Sequence, residues 1–275
     1  MLDQITPLIL TYNEAPNIGR TLEALTWANH IVVVDSFSND ATVEIASSFP
    51  QVRVVQRAFD CHRNQWEFGL RETGIKTPWV LALDADYMLT NDALAEITQL
   101  EATEEISGYR AEFVYCINGK KLRSGIYPPV ILLYRREDAS YVQDGHTQRV
   151  VVNGRVGDLQ TKLLHDDRKP LSRWLASQAR YAELETAKLM MTEPGALNFT
   201  DRLRLCLVVL PCVTPFYCLI VRGGIFDGWA GFYYACQRTF AELVVSLYLL
   251  DSRCTSSAST RITAMLQRQS SKTAD

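Results

Sequence analysis

Through the first part of the chain, short β-branched runs alternate with amphipathic stretches, the pattern of parallel strands joined by crossover helices. Ile5 to Leu10, Ile31 to Val34, Val52 to Val55 and Trp79 to Leu83 read as strands. Ile31 to Val34 and Trp79 to Leu83 are apolar throughout, as strands buried on both faces tend to be. Pro16 suits a first helical turn, and Ile18, Leu22 and Leu25 then recur at helical spacing. Asn39 and Asp40 suit the cap of a helix carrying Val43, Ile45 and Ala46, a further helix is expected around 64–71, and Thr90 or Asn91 caps another.

Past Gly108 the period changes. Asn118-Gly119 and Asn153-Gly154 each sit between apolar runs, which predicts two tight hairpins. A long amphipathic helix is expected over 170–191, with Trp174, Leu175, Ala179, Ala182 and Leu189 among its apolar positions. Leu205 to Val221 carries no charge, lies between Arg204 and Arg222, and is interrupted by Pro211 and Pro215. A spanning helix needs about 20 apolar residues, so this segment reads as broken, interfacial or re-entrant. The expected class is α/β, a Rossmann-like mixed sheet with flanking helices over 1–168. A helical, membrane-associating region follows over 169–250, and composition gives a mobile tail over 251–275.

With 275 residues, 47% apolar and 21% charged, the chain is long enough for one substantial core and an appended region. A net charge of −3 excludes nucleic-acid binding through a basic field. The first ten residues lack a basic, then apolar, leader pattern, and the seven cysteines show no paired spacing. Both point to reduced thiols and a cytoplasmic orientation.

Ligands of open α/β sheets bind beyond the carboxyl ends of the strands, and three polar clusters fall at such ends. They are Thr11-Tyr12-Asn13-Glu14, Asp35 to Asp40, and Asp84-Ala85-Asp86. Two carboxylates one residue apart at a strand end suit a hard cation, Mg2+ or Mn2+, that shares its shell with substrate phosphates. Asp35 is placed either to accept a hydrogen bond from a nucleobase imide or to cap the following turn. Tyr12 and Glu14 are placed to close the same pocket.

These clusters resemble the three signatures of family 2 glycosyltransferases of the GT-A fold. Further likeness to the lipopolysaccharide core β-glucosyltransferase subgroup lies in Arg63-Asn64-Gln65, Leu163-Leu164-His165-Asp166 and Gly224-Ile225-Phe226-Asp227-Gly228. The resemblance implies an inverting hexosyltransferase using a nucleotide-diphosphate sugar, commonly a UDP-sugar. Thr11, Glu14 and Asp35 would hold the nucleoside, Arg63 the donor phosphates or sugar, and Asp84 the ribose or the metal shell. Asp86 would bind the metal, with His165 completing its shell. The acceptor-side base falls in Asp144-Gly145-His146-Thr147, where related sequences often read His-Glu; Asp144 comes first and His146 second.

The implied partners are the nucleotide sugar, a glycan or glycolipid acceptor, and the cytoplasmic face of a membrane, bound peripherally or monotopically. Arg202, Arg204 and Arg222 would meet headgroups, beside Trp229, Phe232, Tyr233 and Tyr234. The basic run Arg168, Lys169, Arg173 and Arg180 is a second candidate for that contact, and a homo-oligomer interface is the other use of the apolar surface. A non-catalytic sugar-binding protein of the same fold is the alternative function. An aspartate-nucleophile phosphatase is disfavoured because Tyr87-Met88, not a threonine, follows the acidic pair, and no Gly-x-Gly-x-x-Gly follows the first strand to support a dinucleotide enzyme.

Overall fold

The computed structural model of the chain describes residues 1–100, 105–144 and 147–272, the side chains of 143, 144, 147, 148 and 256–272 excepted. Strand β1 (Ile5–Thr11) leads to α1 (Ile18–Glu23), β2 (Ile31–Asp35), α2 (Thr42–Ser47), β3 (Val52–Gln56), α3 (His62–Arg71) and β4 (Trp79–Asp84). Then come β5 (Tyr87–Met88), α4 (Asn91–Gln99), β6 (Ile106–Ala111), β7 (Phe113–Ile117), β8 (Lys120–Lys121) and β9 (Val130–Arg135). The sheet-forming half closes with β10 (Ala139–Asp144), β11 (Thr147–Val152), β12 (Arg155–Asp158) and β13 (Leu163–His165). Four helices follow, α5 (Leu171–Met191), α6 (Phe199–Leu205), α7 (Val209–Phe216) and α8 (Trp229–Lys272). The backbone of α8 is thus helical through most of the stretch expected from composition as a tail.

Among the described residues seven strands form the central sheet, in the order β12-β6-β9-β4-β1-β2-β3. Strands β3, β2, β1 and β4 run parallel, and β9 is antiparallel to both β4 and β6. Strands β1, β2 and β4 are covered on both faces, which is why their sequences are so largely apolar, whereas the edge strand β3 is only half-buried. Ile9, Val33 and Leu83 join one core with Ile18, Leu22, Ala46 and Ile97. Leu8, Val32 and Val34 face the other way, onto Trp66 and Leu70 of α3 and Tyr141 of β10. Fully burying each such side chain contributes about 1.5–3 kcal/mol, so this two-sided core fixes where β1, β2 and β4 end. A second sheet, β5-β13-β7-β8, packs β13 against the short strand after β4.

One predicted hairpin forms and the other does not. Asn118 and Gly119 take φ values of 50° and 81° between β7 and β8, as a primed two-residue turn requires. The turn at Asn153-Gly154 instead separates strands of different sheets. Strand β11 pairs back onto β10, whereas β12 joins the central sheet parallel to β6.

The helical region corrects two sequence expectations and bears out a third. Arg204 is not available to headgroups: its guanidinium is shared between Glu242, at 2.9 Å through both Nε and Nη2, and Glu185, at 2.8 Å. Two carboxylates from neighbouring helices hold it between α5 and α8. Tyr234 is buried rather than at the surface, its hydroxyl accepting the Ile126 N–H at 3.1 Å. The apolar segment is broken as expected, by the kink around Pro215, a π-helical turn at Tyr217–Val221 and a 3-10 turn at Gly224–Asp227. Among the described residues no helix is long and apolar enough to cross a membrane.

Asp227 locks this region onto the turn after β8. Its Oδ2 accepts the N–H groups of Arg123 and Ser124, at 3.0 and 3.1 Å, and the Ser124 hydroxyl at 2.8 Å. Gly231 lies so close to the preceding turn that a Cβ would stand 2.0 Å from the Gly224 carbonyl oxygen.

Candidate active site

Strands β1, β2 and β4 stop at the same level of the sheet, because Thr11 pairs with Asp35 and Leu10 with Asp84. The three polar clusters are therefore brought together. Thr11 donates its hydroxyl to Asp35 Oδ1 at 2.9 Å, and Asp35 Oδ2 accepts the Ser38 N–H at 2.9 Å and the Gln56 amide at 3.2 Å. Asp35 is fully buried, so its carboxylate organises the loop after β2. That loop is joined to the one after β1: the Asn13 N–H donates to Ser38 Oγ at 2.7 Å and the Asn39 N–H to Asn13 Oδ1 at 2.7 Å.

Two aromatic side chains stand out of these joined loops, Tyr12 at 53% and Phe37 at 56% exposure. Asn13 and Phe37 both adopt positive φ, 55° and 58°. Asn accepts that conformation readily, whereas a bulky aromatic does so at a cost that cluster contacts must offset. Sequence reasoning singled out Tyr12 and passed over Phe37. The one available signal was an aromatic residue set in an otherwise polar loop.

At the end of β4 the acids crowd. Asp84, Asp86 and Glu14 influence one another, and burial pushes Glu14 up to about 7 and Asp84 up to about 6, with the negative charge of Asp86 adding to both. Asp86 goes the other way, to about 2: burial opposes its ionisation, but His165 and Lys169 outweigh it. His165 Nε2 lies 3.4 Å from Asp86 Oδ2. It is placed there by β13, whose His165 pairs with Tyr87 just beyond the acidic pair. Its ring is enclosed by Tyr127, Tyr115 and Tyr87, with centroids at 4.5, 4.7 and 5.2 Å, and its Nδ1 is buried with no hydrogen-bond partner.

Lys169, which precedes α5, was read from sequence as part of a basic surface. Its Nζ lies instead 2.8 Å from Glu14 Oε1 and 3.5 Å from Asp167 Oδ2. Arg168 and Arg173 are engaged at the same place. Arg168 Nε donates to Asp166 at 2.9 Å, and Arg173 donates to the carbonyls of Asn13, at 2.8 Å, and Tyr12 while its guanidinium lies over the Tyr12 ring. Asp166 is the anchor of this corner: it is fully buried and accepts from Arg20, Arg168 and the Gly119 N–H. The start of α5 thus covers the loop that follows β1.

Arg63 sits on α3, where its Nε donates to the Tyr141 carbonyl at 3.0 Å. Trp66 stacks on Tyr141 at 5.5 Å, and Glu67 accepts the Tyr141 N–H at 2.5 Å. Helix α3 therefore fixes β10, the strand that ends at Asp144. The Asp144 side chain and all of His146 lie outside the described residues.

The residues present suit a divalent cation. Burial is the main cause that raises Glu14 and Asp84, with the charge of Asp86 adding to it, so the three acids lie within electrostatic reach of one site, and His165 Nδ1 is left without a hydrogen-bond partner. Among the described residues no group of three His, Cys, Asp or Glu side chains is placed to hold a metal ion on its own, so a bound Mg2+ or Mn2+ would need substrate phosphates or water to complete its shell.

A mixed α/β fold with an acidic pair at the end of its fourth strand defines the class: a GT-A-type domain. Residues 8–141, just under half of the chain, match the family model Glycosyl transferase family 2, so this segment carries a glycosyltransferase family 2 domain. It is 28% identical over 198 residues to the lipopolysaccharide core biosynthesis glycosyltransferase LpsC of Rhizobium meliloti, covering 66% of this chain and 70% of that protein. It is 35% identical over 109 residues to an uncharacterized glycosyltransferase of Rickettsia bellii, covering 39% of this chain and only 36% of that relative's length. In three dimensions it is similar to the mannosyltransferase PcManGT of Pyrobaculum calidifontis, solved in complex with GDP-Man and Mn2+. The TM-score is 0.53 at 16% identity, over 90% of this chain and 87% of that one, a likeness of fold.

Proposed function

We propose that this protein is an inverting hexosyltransferase that moves a sugar from a nucleotide-diphosphate donor, of which a UDP-sugar is the first choice, to a lipid-linked or lipopolysaccharide-type glycan. The observation that carries the reading is the convergence of Glu14, Asp84, Asp86, His165 and Lys169 at the carboxyl ends of β1 and β4. The similarity to LpsC, whose name places it in lipopolysaccharide core biosynthesis, supports the acceptor class.

In this reading the nucleoside lies over the joined loops, with Tyr12 and Phe37 offering stacking faces and Thr11, Glu14 and Asp35 shaping the floor. Asp86, Asp84 and His165 would hold Mg2+ or Mn2+, which when bound supplies positive charge to the departing diphosphate. Lys169 opposes the protonation of Glu14 that burial favours and adds a cation to the same wall. Arg63, through Tyr141, holds β10 in place, so that Asp144, or His146 in its stead, meets the acceptor hydroxyl and takes its proton. Attack from the face opposite the leaving group then inverts the anomeric carbon. Work on the cytoplasmic side of a membrane follows from a donor made in the cytoplasm and an acceptor carried on lipid.

The reading is tested by incubating the full chain with radiolabelled nucleotide sugars, Mn2+ and a lipid extract carrying immature core glycans. Label transferred to the lipid fraction with release of one nucleoside diphosphate supports it. Nucleotide-sugar binding without any release or transfer favours the non-catalytic alternative.

A further inference from the structure

The turn region between α7 and α8 carries an apolar edge that the fold does not use. Phe216, Val221 and Phe226 are 71–78% exposed, and Ile220, Trp229 and Phe232 are 58–62% exposed. Six large side chains left this open are unusual on a soluble surface, and they come from one continuous run, 216–232. The inward positions of the same run, Cys218, Gly224 and Ala230, are buried, so the edge is held rigidly by its own underside.

Charge around the edge is mainly positive, and Glu112, the acid whose charge reaches Arg222, is paired with Lys162 at 2.6 Å. Residues 205–239 contain Arg222, Arg238 and a single acid, Asp227, and that acid is buried and committed to Arg123 and Ser124. The neighbouring turn from 117 to 126 adds Lys120, Lys121 and Arg123, all exposed, with no acid. Lys120 Nζ stands 5.8 Å over the Trp229 ring, which fixes the basic turn beside the apolar edge.

We propose that residues 216–232 enter the surface of an anionic lipid bilayer as a monotopic wedge, with Lys120, Lys121, Arg123 and Arg222 meeting the headgroups. A bilayer closes around protruding aromatic and aliphatic side chains and draws basic neighbours to its surface. A second copy of the chain would bring the same basic residues, Lys120, Lys121, Arg123 and Arg222, against this edge rather than a patch of opposite charge. The wedge is also close to the chemistry: Tyr234 of α8 lies 4.8 Å from Tyr115, whose ring lies 4.7 Å from His165. A headgroup-linked glycan is thereby brought to the acidic end of β4. That last step rests on the proposed reaction, whereas the lipid contact stands independently of it.

The test uses the purified full chain, without nucleotide, sedimented with vesicles of phosphatidylglycerol and phosphatidylethanolamine and, in parallel, of phosphatidylcholine. The protein is expected to pellet with the anionic vesicles, and Phe226→Ser with Trp229→Ser to lower the bound fraction at least about tenfold. Val221→Ser with Phe232→Ser is a second pair with the same expectation, and Lys120→Glu with Lys121→Glu should weaken binding most at low salt. All three pairs should keep the wild-type melting midpoint, since none alters the core. A wild-type protein that stays in the supernatant, or serine pairs that pellet undiminished, overturns the proposal. So does a wild-type dimer that ignores vesicles and that the serine pairs dissociate, which would assign the edge to a second copy. Vesicle binding by a chain inactive with every nucleotide sugar would leave the wedge standing and sink the reaction.

Discussion

Lys169 Nζ lies 2.8 Å from Glu14 Oε1, joining the segment before α5 to the end of β1 across 155 positions of sequence. Burial alone would leave Glu14 neutral; Lys169 is the chief group opposing that, and it also bears on Asp86. Lys169→Met should therefore raise the Glu14 pKa further and shift the acid limb of the kcat/KM profile to higher pH, with a loss at pH 7 of about 10²-fold. Lys169→Arg should recover part of it. A profile unmoved by Lys169→Met would show that Lys169 only ties the two segments together.

The crowded acids give the fold its own pH dependence. Glu14 and Asp84 are raised from 4.5 and 3.8 to about 7 and about 6. The folded chain thus holds these protons more tightly than the unfolded one, so their stabilising effect is complete below about pH 4 and is lost as pH rises through 6 to 7. Asp86, lowered to about 2, acts in the opposite sense and only below about pH 4. The melting midpoint of chelator-treated protein should fall between pH 5 and 7.5, and fall less in Asp84→Asn. Mn2+ should restore it most at the alkaline end, where it competes with fewer protons. A midpoint that stays level across this window, with or without Mn2+, contradicts the assignment.

Much of this cleft is legible in the sequence because it sits where buried strands end. The runs at Ile31 and Trp79 are apolar throughout, their terminal Asp35 and Asp84 are polar, and parallel register alone puts them side by side. What could not be read is pairing at a distance. Val150-Val151-Val152, Asn153-Gly154 and Val156 make a sound local hairpin, yet β11 gains more by returning to β10 and β12 by extending the central sheet. Lys169 looks like a solvated charge because its partner, Glu14, is on another element. Arg204 looks like a membrane anchor until Glu185 and Glu242 arrive from two other helices. The turn residues Asn118 and Gly119 were legible because their conformational demand is local.

Asp227 should be a stability residue. Its Oδ2 satisfies two backbone N–H groups and a hydroxyl in a buried turn, so Asp227→Ala leaves those donors unpaired at a cost of about 2–4 kcal/mol. Denaturant unfolding of the variant should show a lower midpoint at unchanged slope. Asp227→Asn should lose less, because one acceptor oxygen remains. Equal stability of wild type and Asp227→Ala would refute the role.

The proton acceptor is expected on the strand that α3 holds. Asp144→Asn should lower kcat by about 10²–10⁴-fold with little change in donor binding, since proton removal matters mainly in the transition state. If His146→Ala causes that loss while Asp144→Asn is near normal, the role passes to His146. Arg63→Ala should lower kcat through β10, by less than Asp144→Asn does.

The central claim is that a nucleoside diphosphate and a divalent cation share the site formed by Glu14, Asp84, Asp86 and His165. Isothermal titration of UDP, GDP, ADP, CDP and TDP into the full chain, with Mn2+ and with chelator, measures it directly. One of the five is expected to bind with Mn2+ and not with chelator, and Asp86→Asn to weaken that binding by about 100-fold while keeping the wild-type circular dichroism spectrum. Binding of none of the five in the presence of Mn2+ or Mg2+, or binding that Asp86→Asn leaves unchanged, would contradict it.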